Sequence, residues 1–419
     1  MRVTLVSAVD PYPTDAGKKV VLAGFLEYFR ERFGPHNVHY LMVNGAPAPD
    51  FPVTLHPLPK VRRRAQLAAV AGRVPTGRAT LQEALLYSPQ VRKAVCEMRA
   101  SVGPSLEIYD TIRMAQYADP DHADQQICYL DDLFSERYAG MLAAAENYPD
   151  VQIRPLGNFA EHVPGPLRPL ADSKVPQRAL LRMEAALARR SEDHAALRFR
   201  RNLLVNEGEA TRLARRVSDR GRADVMAVPP LVTAPEYRPR NYAGAPEFVF
   251  VGLLSLPHNE DGVRSLLTEV WPMVLARLPK ARLRIIGRDC GPELRAAAAR
   301  FGESVTLEGY VDDLTEVLCS AAGLVNHLRF GSGIKLKVIE ALGRGLPVVS
   351  TSVGADGFAA GAENGILPAD SGAEFADALA ALTDPAHNRE VSDGARAHFA
   401  STFARGAVFD CYDKAFTLD

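Results

Sequence analysis

The sequence predicts an α/β protein of two doubly wound parallel-sheet domains, and three observations lead there. Short apolar, β-branched runs alternate with amphipathic helical stretches along the 419 residues. A segment rich in proline and small residues, Thr233–Pro246, lacks any hydrophobic period and interrupts that alternation. Beyond it the same rhythm starts again. Domains of residues 1–235 and 245–399 follow, with the hinge between them.

Taken in order, Arg2–Ser7 reads as the first strand. The loop DPYPTDAGK then leads into a helix, Lys18–Phe33, whose Val21, Phe25, Tyr28, Phe29 and Phe33 lie near one face. Strand-like runs recur at Val38–Val43, Leu106–Tyr109, Ile127–Leu130, Asn202–Val205 and Val225–Val228, with Pro176–His194 among the helical stretches between them. In the second domain, strands Phe248–Val251, Arg282–Ile286, Val305–Leu307 and Gly323–Asn326 alternate with helices Val263–Leu278, Glu293–Phe301 and Leu314–Ala321. Ala373–Leu382 and Asn388–Phe399 read as closing helices.

The stretch His327–Gly357 carries the chemistry. It sets a glycine loop, two lysines and a glutamate at one helix start, although the whole chain has only nine lysines beside forty arginines. With about 100° per residue and Ile334 at zero, Val338, Ala341 and Leu342 fall within about 80° of it and form a core face. Lys337, Glu340 and Arg344 gather opposite; Lys335 lies near the apolar stripe and reaches solvent only forward, over the helix start. A cation in the first helical turn opposes the macrodipole by a few tenths to about 1 kcal/mol. An anion held there by the free N–H groups of the Gly331–Gly333 loop removes the conflict; the other reading is a pair of solvated surface lysines. Glu340 suits the two hydroxyls of a ribose, or else pairs with Arg344 at i, i+4 for about 0.3 kcal/mol. Leu346–Ser350 follows as a strand buried on both faces.

These residues resemble the family 4 retaining glycosyltransferases of the GT-B fold. The usual family pattern is Glu, seven residues, Glu, then Ala and a Gly-x-Pro-Val-Val strand. The second half stands here as Glu340, Ala341 and Gly345-Leu346-Pro347-Val348-Val349, whereas Ser332 occupies the place of the first glutamate. The chain is thus similar to a subgroup whose loop reads Gly-x-Gly-hydrophobic-Lys/Arg-x-Lys. FVFVG at 248–252, IIGR at 285–288, VTLEGYV at 305–311 and Asp312-Asp313-Leu314 fall in the family's order, so the resemblance covers residues 245–370 well and the first half loosely.

The resemblance implies two Rossmann-like domains facing a cleft, with residues 400–419 crossing back onto the first. It implies a nucleoside diphosphate sugar as donor, a hydroxyl acceptor, retained anomeric configuration, and neither cofactor nor metal. In such sheets ligands sit beyond the carboxyl ends of the strands. Gly252, Arg288, Tyr310, Val311, Arg329, Ser332, Gly333, Ile334, Lys337 and Glu340 are then expected around the donor, with the base near Tyr310 and Val311 and Gly17 joining from the first domain. Ser332 and the backbone of Gly333 and Ile334 take over the sugar contact of the absent glutamate. Lys335 is assigned the charge of the departing diphosphate, by the logic of an oxyanion hole. Relatives place an Arg and a Lys in the loop after the first strand of the second domain; here Leu253 and Asn259 stand near those places. Asp131 and Asp132 replace a His-Asp pair of relatives, and either orient the acceptor or cap the helix that follows. Acceptor pockets are expected from the helices of residues 60–100 and 164–194.

Composition narrows the rest. A formal charge of −1 argues against general nucleic-acid binding. Five widely spaced cysteines with no Cys-x-x-Cys suit a reducing cytoplasm and no structural zinc. No apolar run is long enough to span a bilayer; Arg62-Arg63-Arg64 reads as a solvated helix end or, at most, a peripheral membrane contact. Asp131-Asp132 and Asp312-Asp313 lack a third ligand at a sensible spacing, and His122, His162 and His327 stand alone, as structural histidines do. A dinucleotide-dependent oxidoreductase would need Gly-x-Gly-x-x-Gly after a leading strand, and neither SAVDPYPTDAG nor GLLSLPHNEDG supplies it. Two further readings share the nucleotide site: a sugar-nucleotide epimerase or hydrolase, and a non-catalytic sugar-nucleotide sensor.

Overall fold

The structure, a computed structural model, describes residues 1–148, 174–232, 239–240 and 242–417. Half of the expected hinge, residues 233–238 and 241, lies outside the described residues, as does His162. Two compact units are present: residues 1–139, 173–231 and 408–419 form the first, and 140–172 with 232–407 the second.

The first unit holds a seven-stranded sheet from β1 (Val3–Ser7), β2 (Val38–Met42), β3 (Thr54–Pro57), β4 (Leu106–Asp110), β5 (Gln126–Asp131), β6 (Arg201–Leu204) and β7 (Val225–Ala227). Its order is β3-β2-β1-β4-β5-β6-β7, and every described pairing is parallel. The order reverses between β1 and β4, so their carboxyl ends flank the crevice where ligands of such sheets bind. All five residues of β1 and of β4 are buried, including Glu107 and Asp110 of β4, which pair with Arg99 and Lys18.

The second unit holds β8 (Glu247–Val251), β9 (Arg282–Ile286), β10 (Val305–Gly309), β11 (Gly323–Asn326), β12 (Val348–Ser350) and β13 (Ile366–Pro368), all parallel, in the order β10-β9-β8-β11-β12-β13. Here the switch lies between β8 and β11. Side chains alternate across β8: Phe248 and Phe250 join Trp271 and Phe375 on one face, and Val249 joins Val338, Ala341 and Leu342 on the other. Each such fully buried side chain contributes about 1.5–3 kcal/mol. That second cluster seats the helix Leu336–Gly343 against the sheet.

Three elements differ from the sequence reading. The edge strands β3 and β13 carry only four and three residues, each ends in proline, and neither shows a clear alternation. The run Val263–Leu278 is not one helix. It comprises Pro257–Ser265, a π-helical turn Leu266–Val270 and Trp271–Arg277, because Pro272 has no N–H to continue the ladder.

The helix Arg405–Phe416 ends within the first unit. Its Phe409, Tyr412 and Phe416 pack on Tyr28, Phe25 and Phe29 with ring centroids 5.2, 5.2 and 4.7 Å apart, and the Tyr28 hydroxyl donates to Asp413 at 2.7 Å. The apolar face of the helix Gly17–Phe33 is therefore closed by the carboxyl-terminal segment.

Candidate functional site

In the second unit, the carboxyl ends of β8, β9 and β11 bring the expected donor residues together. Two glycines let the loops approach. A Cβ on Gly287 would lie 1.8 Å from the Gly252 carbonyl oxygen, and one on Gly262 would lie 2.2 Å from that of His327. Neither position admits a side chain. His327 is buried, packs edge-on to Phe375 at 5.3 Å, and has its basicity lowered by that burial, as befits a structural histidine.

The loop after β11 ends in the helix Leu336–Gly343, with Lys335 at the N-cap. Gly333, at φ +62°, turns the chain into that helix. Lys335 does not reach out to solvent as its place on the wheel suggests. It is buried, and its ammonium folds back onto its own loop, donating to the carbonyls of Ser332 at 3.1 Å and Gly333 at 2.7 Å. Two carbonyls beneath the ammonium relieve the conflict with the macrodipole locally. Ile334 packs against the same core cluster as Val338.

Lys337 is half-buried and has no carboxylate partner among the described residues. Its ammonium donates to Asn259 Oδ1 at 2.8 Å and stands 4.1 Å from the centroid of the Phe250 ring. Burial, and then the charge of Lys335, push its pKa down to about 7. Asn259, itself buried, is held by donating to the Leu253 carbonyl at 3.0 Å, beside Gly252. The position where relatives carry a cation thus supplies a neutral acceptor for a cation from another helix.

Glu340 makes no ion pair with Arg344, which donates instead to the Glu340 backbone carbonyl at 3.2 Å. The carboxylate has no hydrogen-bond partner among the described residues, and burial raises its pKa against the opposing field of Arg344. Arg329 is engaged elsewhere: its guanidinium grips buried Asp261 through two hydrogen bonds of 2.6 and 2.9 Å. Its expected place at the diphosphate is taken up by this ion pair. Arg288 lies over the Tyr310 ring at 5.1 Å, and both line a cavity of about 220 Å³ with Leu254, Gly287 and Gly309. Val311 packs onto the core cluster beneath the lysine helix.

In the first unit the β1/β4 switch point carries a second cluster. Ser7, at the end of β1, donates to Asp110 Oδ2 at 2.6 Å, and Lys18 forms an ion pair with Asp110 Oδ1. Lys18 also lies 3.5 Å from Asp131 and 4.7 Å from the Tyr129 ring centroid. Asp131 accepts from the Tyr129 hydroxyl at 2.6 Å; burial raises its pKa, Lys18 opposes that, and Asp132 adds to it. Asp131 at φ +72° and Thr111 at φ +64° hold left-handed conformations at the strand ends, which non-glycine residues rarely adopt without a functional reason. Gly17 is exposed and opens the helix Gly17–Phe33, next to Lys18.

Asp132 is buried and bound by Arg137 through bonds of 2.6 and 2.8 Å. The N–H groups of Leu133 and Ser135, at the start of the helix Phe134–Asn147, are taken by Glu209 and Glu192 from other helices. Sequence reading missed Asp110 and Ser7. The signal was a carboxylate closing the apolar run LEIYD, the same pattern as LDD after β5. Among the described residues no group of three or more His, Cys, Asp or Glu side chains could hold a metal ion, and no helix is long and apolar enough to cross a membrane.

Known proteins resemble this chain in part of its sequence and in its fold. Residues 245–384, within the second unit, match the family described as Glycosyl transferases group 1. A Klebsiella pneumoniae protein described as an uncharacterized 44.6 kDa protein in the cps region is 32% identical over 115 residues; the match spans 26% of this chain and 30% of that protein. Among solved structures, sucrose-phosphate synthase of Thermosynechococcus elongatus gives a TM-score of 0.65 at 16% identity, over 99% of this chain and 97% of that one. HepE of Anabaena, solved with UDP and glucose, gives 0.60 at 13% identity, over 99% and 98%. A TarM variant of S. aureus, solved with fondaparinux, α-GlcNAc-glycerol and UDP, gives 0.62 at 9% identity over all of both chains. These likenesses show the fold, which is GT-B.

Proposed function

We propose that the chain transfers a glycosyl group from a nucleoside diphosphate sugar to a hydroxyl acceptor with retention of anomeric configuration. The observation that carries this reading is Lys337, a lysine with a pKa of about 7 whose ammonium meets an amide oxygen and an aromatic face instead of a carboxylate. An anion in its reach would restore the proton that burial drives off. Lys335 stands two residues away at the start of the same helix. The family match over residues 245–384 and the fold shared with UDP-bound proteins support the same chemistry.

Breaking the bond between the anomeric carbon and the diphosphate leaves negative charge on the leaving oxygens and positive charge on the sugar ring. Fixed cations and oriented N–H groups stabilise the first without reorganising. We assign that role to Lys335 and Lys337 with the backbone of residues 331–335, so the proposal calls for no metal cofactor. Glu340 is the acceptor for ribose hydroxyls, and the cavity of Arg288 and Tyr310 is the place for the base. Ser332 and the Gly333–Ile334 backbone face the sugar. In the first unit, Asp131, with its raised pKa, is the group assigned to the acceptor hydroxyl. In a retaining, front-face reaction the departing phosphate itself takes the acceptor proton, so Asp131 orients and does not need to act as a base. Five free cysteines fit a cytoplasmic setting for this activity.

The experiment is a nucleotide-release screen across nucleoside diphosphate sugars, followed by mass analysis of products with candidate acceptors. A glycosylated product carrying the donor's anomeric configuration supports the proposal. Altered sugar without an acceptor supports an epimerase or hydrolase instead, and binding without turnover supports a sensor.

A further inference from the structure

A second charged pocket lies wholly within the first unit, between the helices Arg63–Arg73, Pro89–Val102, Thr111–Ala115 and Lys174–Arg198. It has a volume of about 320 Å³, and Arg73, Arg78, Arg92, Arg190 and Arg198 all line it, with His194. None of the five guanidinium groups has a carboxylate partner among the described residues. Arg73 donates to the Gln116 side-chain oxygen at 2.7 Å, and Arg92 to the Gln116 carbonyl at 2.8 Å. Arg190 donates to the Gly77 carbonyl at 2.8 Å and Arg198 to that of Ala118 at 2.6 Å. The Arg78 guanidinium has no hydrogen-bond partner among the described residues, while its backbone N–H donates to the Arg73 carbonyl at 2.9 Å.

These contacts fix the guanidinium groups without neutralising them. The carboxylate in the lining, Glu83, is buried and already accepts from the Thr80 N–H and the Ser191 hydroxyl, each at 2.8 Å. Five positive charges against one negative, in a chain whose formal charge is −1, are a local excess that the fold does not need. Arg92 lies within the field of Arg198, and His194 within that of Arg198 and Arg190. Arg73 and Arg198 are half-buried in this pocket, and Arg78, Arg92 and Arg190 are exposed at its rim. The half-buried Arg99 and Arg216 elsewhere in the unit are matched: Arg99 grips Glu107 and Asp119, and Arg216 grips Glu192 and Asp193.

We infer that this pocket binds a phosphate or diphosphate ester, whose oxygens satisfy several guanidinium forks at once. Planar forks with two parallel donors match phosphate geometry, and fixing them on carbonyls in advance lowers the ordering cost of binding. The ligand is the phosphate of a soluble metabolite or of a lipid head group, which share this chemistry. The pocket lies among the helices expected to hold the acceptor, yet the inference does not rest on the proposed transfer: it follows from the arginines that line the pocket, and its test reads binding and not turnover.

Arginine footprinting of the full chain tests it without any variant. The chain is modified with phenylglyoxal alone, with inorganic pyrophosphate, with glycerol phosphate, and with phosphatidylglycerol vesicles, and each arginine is read by peptide mass mapping. Selective protection of Arg78, Arg92 and Arg190, with exposed Arg389 of the second unit unaffected, is the expected result. Protection by the soluble esters identifies a metabolite site, and protection by vesicles alone identifies a head-group site. Equal protection of Arg389, or no protection by any of the three, overturns the inference. In parallel, the Arg78→Ser/Arg190→Ser chain should bind the protecting ligand about tenfold more weakly or worse. Unchanged affinity in a folded double variant overturns it too.

Discussion

Lys337 Nζ donates to Asn259 Oδ1 at 2.8 Å, joining the lysine helix to the helix that follows β8. The bond leaves an ammonium group in a poorly solvated place with a neutral partner. Burying a cation in this way costs stability unless an anion arrives. On the proposed function, the residue serves binding at the expense of the free fold.

Replacing Lys337 by Met should separate those two effects. Donor affinity is expected to fall at least tenfold, since one charge-assisted contact to phosphate is worth about 1.5–3 kcal/mol. The melting temperature at pH 7.5, without nucleotide, should equal or exceed that of the parent chain. Calorimetry and a thermal melt read both quantities. A variant that melts well below the parent while binding normally would make Lys337 purely structural.

The same residue sets a pH dependence. Burial and the charge of Lys335 lower its folded pKa to about 7, from the ordinary lysine value of 10.5; on the proposed function a bound diphosphate raises it again. Above pH 7 the free site is therefore mostly neutral and must take up a proton on binding. Affinity should decline as pH rises from 7 to 9, and calorimetry in buffers of differing ionisation heat should show proton uptake at pH 8. For the nucleotide-free fold the unfolded state binds the extra proton between about pH 7 and 10.5, so this group makes stability increase with pH there and lowers it as pH falls to 7. Flat affinity and no proton exchange at pH 8 contradict the assignment.

Lys335→Ala is expected to reduce turnover by about 10²-fold or more, the size of effect seen when a preorganised charge-stabilising donor is removed. The loss should appear in kcat more than in KM, because the assigned charge develops as the bond breaks. A change below about threefold in kcat counts against the role.

The paired aspartates should part company on mutation. Asp132→Asn breaks a buried bidentate contact with Arg137 and should cost about 1–3 kcal/mol of stability. Asp131→Asn should leave the fold largely intact and raise the KM for the acceptor. Denaturant titration and acceptor kinetics distinguish the two; matching losses of stability in both variants would remove the acceptor role.

Gly287→Ala tests the close approach of the β8 and β9 loops. A Cβ only 1.8 Å from the Gly252 oxygen forces the backbone apart. The variant should melt several degrees lower and bind nucleotide poorly. A parent-like melt would show that the loops yield freely.

Much of the fold was legible because burial on both faces of a parallel sheet leaves a mainly apolar run, as in β1 and β11. The edge strands β3 and β13 were not, since a strand paired on one side needs little apolar content and tolerates proline. The Pro272 break was visible in the chain but outweighed by the apolar period around it. In the site, periodicity identified the buried face of the lysine helix.

Sequence by itself determined which residues can carry charge and which face of each element is core, because both follow from residue type and helical or strand period. Tertiary structure alone decided where each charge goes. It turned Lys335 onto the Ser332 and Gly333 carbonyls, paired Arg329 with Asp261, and left Arg344 on a backbone carbonyl instead of the Glu340 carboxylate. It also set Ser7 and Lys18, from the start of the chain, beside Asp110 and Asp131, from two later strands. Partner choice depends on distance and solvation in three dimensions, and neither quantity is written in residue order.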